Sequence, residues 1–308
     1  MMKKLFLYGL WATLVMLLIS CSREAPENDV IDLYLGQAQP EQVSEKFAGD
    51  IITVQYEVQN CLTISAVRGE IMYGIYIPED QINKVYMVRN ESETWSEPVR
   101  FYPFEEEGIS MDTPCFSPDS QRLYFLAKHS VDDDESDIIE RIWYVEDEAG
   151  VWSEPQVLPE FFDAYNIHMQ FSVASDYSIY FKSKHESGVG ESDLFVSPYV
   201  EGMYEKPVHL SESINTVGNE MTPFIAPDDS YLLFCRNRID YGEGGADLFI
   251  SLRQEDGTWS EAKGLGEEIN SSYNESCPVV SPDGEYLFFN SNQERKYEIF
   301  WIRLLDWI

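Results

Sequence analysis

One phrase recurs along this chain and restricts the folds open to it. Ser117-Pro118-Asp119-Ser120 runs into Leu123-Tyr124-Phe125, and Ala174-Ser175-Asp176 runs into Ile179-Tyr180-Phe181. The phrase returns as Ala226-Pro227-Asp228 before Leu232-Leu233-Phe234, and as Ser281-Pro282-Asp283-Gly284 before Leu287-Phe288-Phe289. The second residues of these turns, Pro118, Ser175, Pro227 and Pro282, stand 57, 52 and 55 residues apart. Proline fixes φ at a turn, and an aspartate side chain bonds its own backbone there. A period near fifty, with an apolar strand on each side of the turn, predicts stacked or radially arranged β units.

Each unit has the same order. Pro223-Phe224-Ile225-Ala226 precedes the turn, Tyr231-Leu232-Leu233-Phe234 follows it, and an acid- and Gly-rich loop leads to Asp247-Leu248-Phe249-Ile250-Ser251. Glu255-Asp256-Gly257 then turns the chain toward Trp259-Ser260-Glu261. Short aromatic and β-branched runs separated by turn residues predict antiparallel meanders. The last opening also repeats, as Trp95-Ser96-Glu97-Pro98, Trp152-Ser153-Glu154-Pro155 and Tyr204-Glu205-Lys206-Pro207. Proline suits an outermost strand, which can spare a donor. A further echo is Ile214-Asn215 and Ile269-Asn270, each leading to Asn-Glu at Asn219-Glu220 and Asn274-Glu275.

A degenerate first unit, Val67-Arg68-Gly69 through Trp95, brings the number of repeats to five. The last unit has three strands and lacks a fourth, while Ser44 to Ala48 looks like a fourth strand without a unit before it. Joining the two closes a circle and removes exposed edges. The expectation is an all-β, five-bladed propeller over residues 41–308, closed by an N-terminal strand that completes the C-terminal blade. Six blades are the alternative.

The turns at Ser117-Pro118-Asp119 and Ser281-Pro282-Asp283-Gly284, with Asp247-Leu248-Phe249 and Trp259-Ser260-Glu261, resemble the WD40-like PD40 repeat. That repeat builds the propeller of the periplasmic protein TolB and of many bacterial lipoproteins. The resemblance covers roughly residues 41–308, closest in the second, fourth and fifth repeats; Ser175 replaces proline in the third. It implies a propeller and a protein–protein role. The separate N-terminal domain of the Tol protein has no counterpart here, and fold does not fix function.

Residues 1–20 read as a lipoprotein signal peptide. Lys3 and Lys4 precede an apolar run from Leu5 to Ile19, and Leu18-Ile19-Ser20-Cys21 reads as a lipobox with Cys21 as the lipidated residue. The run is shorter than the roughly 20 residues a membrane-spanning helix needs. Residues 21–40 then read as a lipidated tether, which places the protein in the bacterial cell envelope, at the outer membrane because Ser22 rather than Asp follows Cys21. The chain carries 21 basic and 55 acidic residues, a net charge of −34. That field repels nucleic acid and anionic headgroups. Cys61, Cys115, Cys235 and Cys277 form no Cys-x-x-Cys pair and read as small buried hydrophobes.

Aligned on the turns, Asn60, Met111, His168, Glu220 and Glu275 share the position that opens the innermost strand, with Asp112 and Gln170 beside them. Two carboxylates, an imidazole and amides in a funnel could hold a sugar or a cation, and Glu220 with Glu275 could form a glycosidase pair. The competing reading is that both glutamates bond the Ile-Asn turns before them. The acidic run Asp132 to Asp137 lacks EF-hand spacing, and Gly188 to Gly190 and Gly242 to Gly245 join strands rather than open helices. Arg236 reads as a structural partner of Asp247. No Gly-x-Ser-x-Gly elbow, zinc motif or nucleotide fingerprint is present. The sequence therefore predicts a propeller without catalysis and without a cofactor, recognising a protein or glycan and held to the membrane by the lipid on Cys21. The alternative is a glycosidase-like, carbohydrate-active enzyme on the same ring.

Overall fold

The alternation of apolar runs and turn residues produces five small antiparallel sheets, each laid down from the inside outward. In the computed structural model, residues 34–40, 42–48, 52, 62–91, 94–106, 108–129, 139–237, 245–293 and 296–304 are described. The short strand β1 (Glu45–Lys46) comes first. Blade one holds β2 (Thr63–Ser65), β3 (Glu70–Ile77), β4 (Ile82–Glu91), β5 (Thr94–Trp95) and β6 (Val99–Phe101). Blade two holds β7 (Met111–Phe116), β8 (Arg122–His129), β9 (Ile139–Glu148), β10 (Val151–Trp152) and β11 (Gln156–Val157).

A 3-10 helix, Glu160–Tyr165, leads to blade three, with β12 (Ser172–Val173), β13 (Ile179–Ser183), β14 (Asp193–Ser197), the hairpin β15 (Tyr199–Val200) and β16 (Met203–Tyr204), and β17 (Val208–His209). Blade four holds β18 (Glu220–Ile225), β19 (Tyr231–Asn237), β20 (Ala246–Leu252) and β21 (Lys263–Gly264). Blade five holds β22 (Glu275–Val280), β23 (Tyr286–Ser291) and β24 (Glu298–Arg303). Its sheet order is β1-β24-β23-β22, with Glu45 opposite Trp301 and Lys46 opposite Phe300. The five-bladed propeller is thus closed by the N-terminal strand.

Five apolar clusters lie between successive blades rather than in one centre. Phe125 and Met72 pack between blades one and two, and Tyr124, Phe171 and Phe181 between two and three. Leu232 and Tyr180 pack between three and four, and Leu248, Leu287 and Phe300 between four and five. The fifth cluster joins the ends of the chain: Phe47, Phe288 and Trp301 meet Ile64, Ile71 and Val88 of blade one. Burying each large side chain removes it from water at a gain of about 2–3 kcal/mol. Residues 34–40, in the stretch read as a tether, also pack on blade five. Tyr34 is buried against Tyr286 and Trp301, and Gln37 bonds the Lys46 carbonyl and the Ala48 amide.

The Pro-Asp turns hold themselves together. Ser117 Oγ donates to Asp119 Oδ1 at 2.6 Å, the Gln121 amide donates to the same oxygen, and the Ser120 amide closes on the Ser117 carbonyl. The last residue of each turn is left-handed, at Ser120, Tyr177, Asp229 and Gly284. Glycine takes that conformation without a Cβ penalty. A tyrosine from the neighbouring segment seals three of the turns, Tyr177 on Asp119, Tyr180 on Asp229 and Tyr34 on Asp283.

The tryptophan segments differ from expectation in register. Trp95 and Trp152 end short hairpins, and the fourth strand resumes only after the proline, at Val99 and Gln156. Proline has no N–H for the ladder, so pairing breaks there. The serine beside the tryptophan bridges the gap: Ser96, Ser153 and Ser260 each donate an amide to the previous strand, and each hydroxyl accepts one back.

Candidate functional site: the axial cavity

The innermost strands β2, β7, β12, β18 and β22 surround the propeller axis, and a cavity of about 410 Å³ lies between them. One residue from each strand stands at the same place, two before its turn: Thr63, Cys115, Ser172, Phe224 and Val279. All five line the cavity. The exposed residues Val67, Pro118, Pro227 and Pro282 stand at its rim, so it opens on the Pro-Asp face. Buried Thr113 and Gln170 lie at its depth. Gln170 Nε2 donates to the Pro278 carbonyl at 3.0 Å, from blade three to blade five. This bond links the inner strands of blades three and five.

The lining is neutral. Phe116, Phe171, Phe224 and Tyr231 contribute aromatic surface, and Thr63, Ser117, Ser120, Ser172 and Ser281 contribute hydroxyls. No carboxylate, imidazole or cationic side chain lines it among the described residues. Some hydroxyls also join blades: Thr63 Oγ1 accepts from the Phe116 amide at 3.1 Å, and Ser172 Oγ from the Ile225 amide at 3.0 Å. Thr222 Oγ1 does the same for the Cys277 amide. The Thr113 hydroxyl is buried without a hydrogen-bond partner. Burial pushes the Cys115 thiol up to about 12, so it stays protonated at neutral pH.

The residues singled out by sequence are distributed differently. Met111, Glu220 and Glu275 open β7, β18 and β22, at the ends of those strands away from the turns. Met111 is buried in the apolar cluster between blades one and two. Asp112 accepts from Asn83 Nδ2 at 2.8 Å and from the Thr113 amide. Glu220 is fully buried; it accepts from the Thr216 amide at 3.0 Å and hydroxyl at 2.6 Å, and pairs with Arg236 Nε at 2.8 Å. Glu275 repeats the pattern on Ser271 at 3.0 and 2.6 Å, with Ser291 Oγ in place of the arginine. Both carboxylates are thus held by the turns that follow Asn215 and Asn270. Arg236 pairs with Glu220 and also donates to the Ile214 carbonyl. His168 is half-buried beside Lys182, 3.2 Å from Nε2 to Nζ. Of the predicted set, Gln170 alone among the described residues lines the cavity. Asn60 and Cys21 lie outside the described residues, as do Cys61 and the acidic run at 132–137. Cys115, Cys235 and Cys277 are free thiols.

Among the described residues, no group of three or more His, Cys, Asp or Glu side chains could hold a metal ion. No helix among them is long and apolar enough to cross a membrane.

Neither a family model nor a curated protein matches this sequence. The likeness to solved structures is in the fold. An endo-arabinase from Bacteroides thetaiotaomicron is 10% identical with a TM-score of 0.51, over 82% of this chain and 95% of that one. An alpha-L-arabinofuranosidase catalytic domain from Coprinopsis cinerea is also 10% identical, with a TM-score of 0.45 over 85% and 94%. A puromycin-hydrolyzing peptidase from Mycobacterium tuberculosis is 12% identical with a TM-score of 0.42; the match covers 75% of this chain but only 34% of the peptidase. These identities show the propeller fold alone. They do correct one expectation. The sequence reading has the propeller without catalysis, yet an endo-arabinase shares its fold, so that reading does not stand.

Proposed function

We propose that this propeller is a carbohydrate-active protein of the bacterial cell envelope that takes a sugar chain end in its axial cavity. The observation that carries this reading is the neutral cavity itself. Its volume lies in the range of small-molecule sites, which are mostly apolar with a few placed polar groups. A sugar offers two kinds of surface, C–H faces and hydroxyl edges. Phe116, Phe171, Phe224 and Tyr231 suit the first, and the serine and threonine hydroxyls suit the second. An acidic protein with an uncharged pocket favours a neutral ligand over an anionic one. The fold shared with the arabinase supports the same ligand class. The PD40-like turns and the lipobox at Cys21 support an envelope lipoprotein, lipidated at Cys21, with residues before the ring linking the two.

Hydrolysis by a carboxylate pair needs two carboxyls about 5–5.5 Å or about 6.5–9.5 Å apart. The carboxylates adjoining the rim in sequence are Asp119, Asp228 and Asp283. The test is a panel of neutral oligosaccharides offered to the full-length protein, read for both binding and release of reducing ends. A Ser172→Phe variant, which fills the cavity from the innermost strand of blade three, is run beside it. At least one neutral glycan should bind, and the variant should bind it at least about tenfold more weakly, or about 1.4 kcal/mol. No bound glycan, or equal binding by the filled variant, would overturn the proposal.

A further inference from the structure

Lys182 lies on β13 past the end of its ladder with β12; the ladder of blade one ends at the same level, where Gly74 stands in place of a lysine. Counting outward from the Pro-Asp turn, its counterparts in blades two, four and five are Leu126, Cys235 and Asn290. Each of those pairs with a residue of the inner strand: Leu126 with Asp112, Cys235 with Met221 and Asn290 with Ser276. In blade three the inner ladder stops at Ser172 and Val173, so Lys182 has no such partner. The chain from Asn166 to Phe171 departs from the sheet instead, with Met169 left-handed at φ 70°. Left-handed residues also stand in the inner strands of blades two, four and five, at Thr113, Thr222 and Cys277.

Lys182 is 4% exposed. A buried ammonium is costly unless a carboxylate accompanies it. None does among the described residues: Nζ meets His168 Nε2 at 3.2 Å and the Met169 sulfur at 3.8 Å. His168 Nδ1 lies 3.1 Å from the Asn166 carbonyl, which can only accept. Nδ1 therefore carries the proton, and Nε2 offers its lone pair to the Lys182 amine. Burial lowers the lysine from its usual range and the nearby Lys184 adds to this, while Cys235 acts the other way. Glu140, on the His168 side, is itself pushed up by burial.

We propose that Lys182 is a carbonyl-capturing amine, with His168 as its proton acceptor, and that the site takes a small neutral aldehyde or ketone as an imine. This does not depend on the carbohydrate reading. The amine lone pair attacks the carbonyl carbon, and the C=O π pair moves to oxygen. One N–H proton passes to His168 Nε2 and then to that oxygen, giving a carbinolamine. The C–O bond then breaks as the C=N bond forms, and the oxygen leaves as water with the second N–H proton. Atoms and charge balance without an oxidant or reductant. The half-buried His168 and Met169 mark the open side from which the carbonyl approaches.

The experiment is reductive trapping on the full-length protein at pH 7, with glycolaldehyde as the carbonyl probe and cyanoborohydride to fix the imine, followed by peptide mass mapping. An exposed lysine is almost wholly protonated at that pH, so Lys182 should label at least about tenfold faster than the exposed Lys206 and Lys263. His168→Gln should slow labelling at Lys182 by about tenfold and leave Lys206 unchanged. Labelling of Lys182 no faster than the two exposed lysines would overturn the proposal. An unchanged Lys182 rate in the folded His168→Gln protein would overturn the role of His168.

Discussion

Glu220 and Glu275 show at the scale of single residues how a recurring acid can serve architecture. They occupy the same position in successive blades and make the same pair of bonds, to Thr216 and to Ser271. They differ in the third partner, a guanidinium for Glu220 and a hydroxyl for Glu275. Removing one member of a buried ion pair strands the other charge, at about 3–5 kcal/mol. Removing an acceptor from neutral donors costs about 1–3 kcal/mol. Urea unfolding should therefore rank Glu220→Ala below Glu275→Ala in stability; the reverse order would mean Arg236 is not the decisive partner. The sequence made the Asn-Glu echo visible, but not the bonds it makes. It hid the cavity more completely. Thr63, Cys115, Ser172, Phe224 and Val279 carry no common chemistry and meet only because five strands converge. Lys182 was hidden in another way. Nothing in Ile179-Tyr180-Phe181-Lys182 singles it out, and its surroundings follow from the early end of the inner ladder and the burial of the chain around it.

At the scale of elements, closure was legible because a strand was missing at one end and spare at the other. The joint depends on Phe47, fully buried beside β1, whose ring lies 4.9 Å from Phe288 and 5.2 Å from Trp301. Phe47→Ala should cost about 3–5 kcal/mol, as for other large-to-small core changes. The loss should concentrate in blade five. In native-state hydrogen exchange the β24 amides should lose protection first, whereas a uniform loss across the blades would show that the joint is not a separate element. The turns invite a second test. Burial would raise the Asp283 carboxyl, but hydrogen bonds from Ser281, Tyr34 and the Glu285 amide outweigh it and hold the group below its ordinary value. A carboxyl depressed on folding stabilises above its unfolded pKa, about 3.9, and this is lost as pH falls through the lower folded value. Asp283→Asn should flatten the dependence of stability on pH below about pH 4. An unaltered acid limb would place the sensitivity in other carboxylates.

At the scale of the whole molecule, charge and architecture oppose each other. A net charge of −34 is carried on a ring whose blades meet through separate apolar clusters rather than around one centre. Repulsion among exposed carboxylates acts over several blades, and salt shortens its reach to about 10 Å at 0.1 M. Salt also weakens exposed pairs such as Lys84 with Asp80, but these contribute little, typically under about 1 kcal/mol. Buried pairs such as Arg236 with Glu220 are screened far less. Relief of repulsion should therefore win. Raising sodium chloride from about 10 mM to about 150 mM should raise the melting temperature by about 2–4 °C, the shift that roughly 1 kcal/mol produces in a chain of this size. A fall over the same range would mean that surface pairs, rather than net repulsion, govern the stability of the ring. The same field bears on the ligand. It penalises an approaching anion at every blade and leaves a neutral one untouched, in keeping with an axial cavity lined by hydroxyls and aromatic faces.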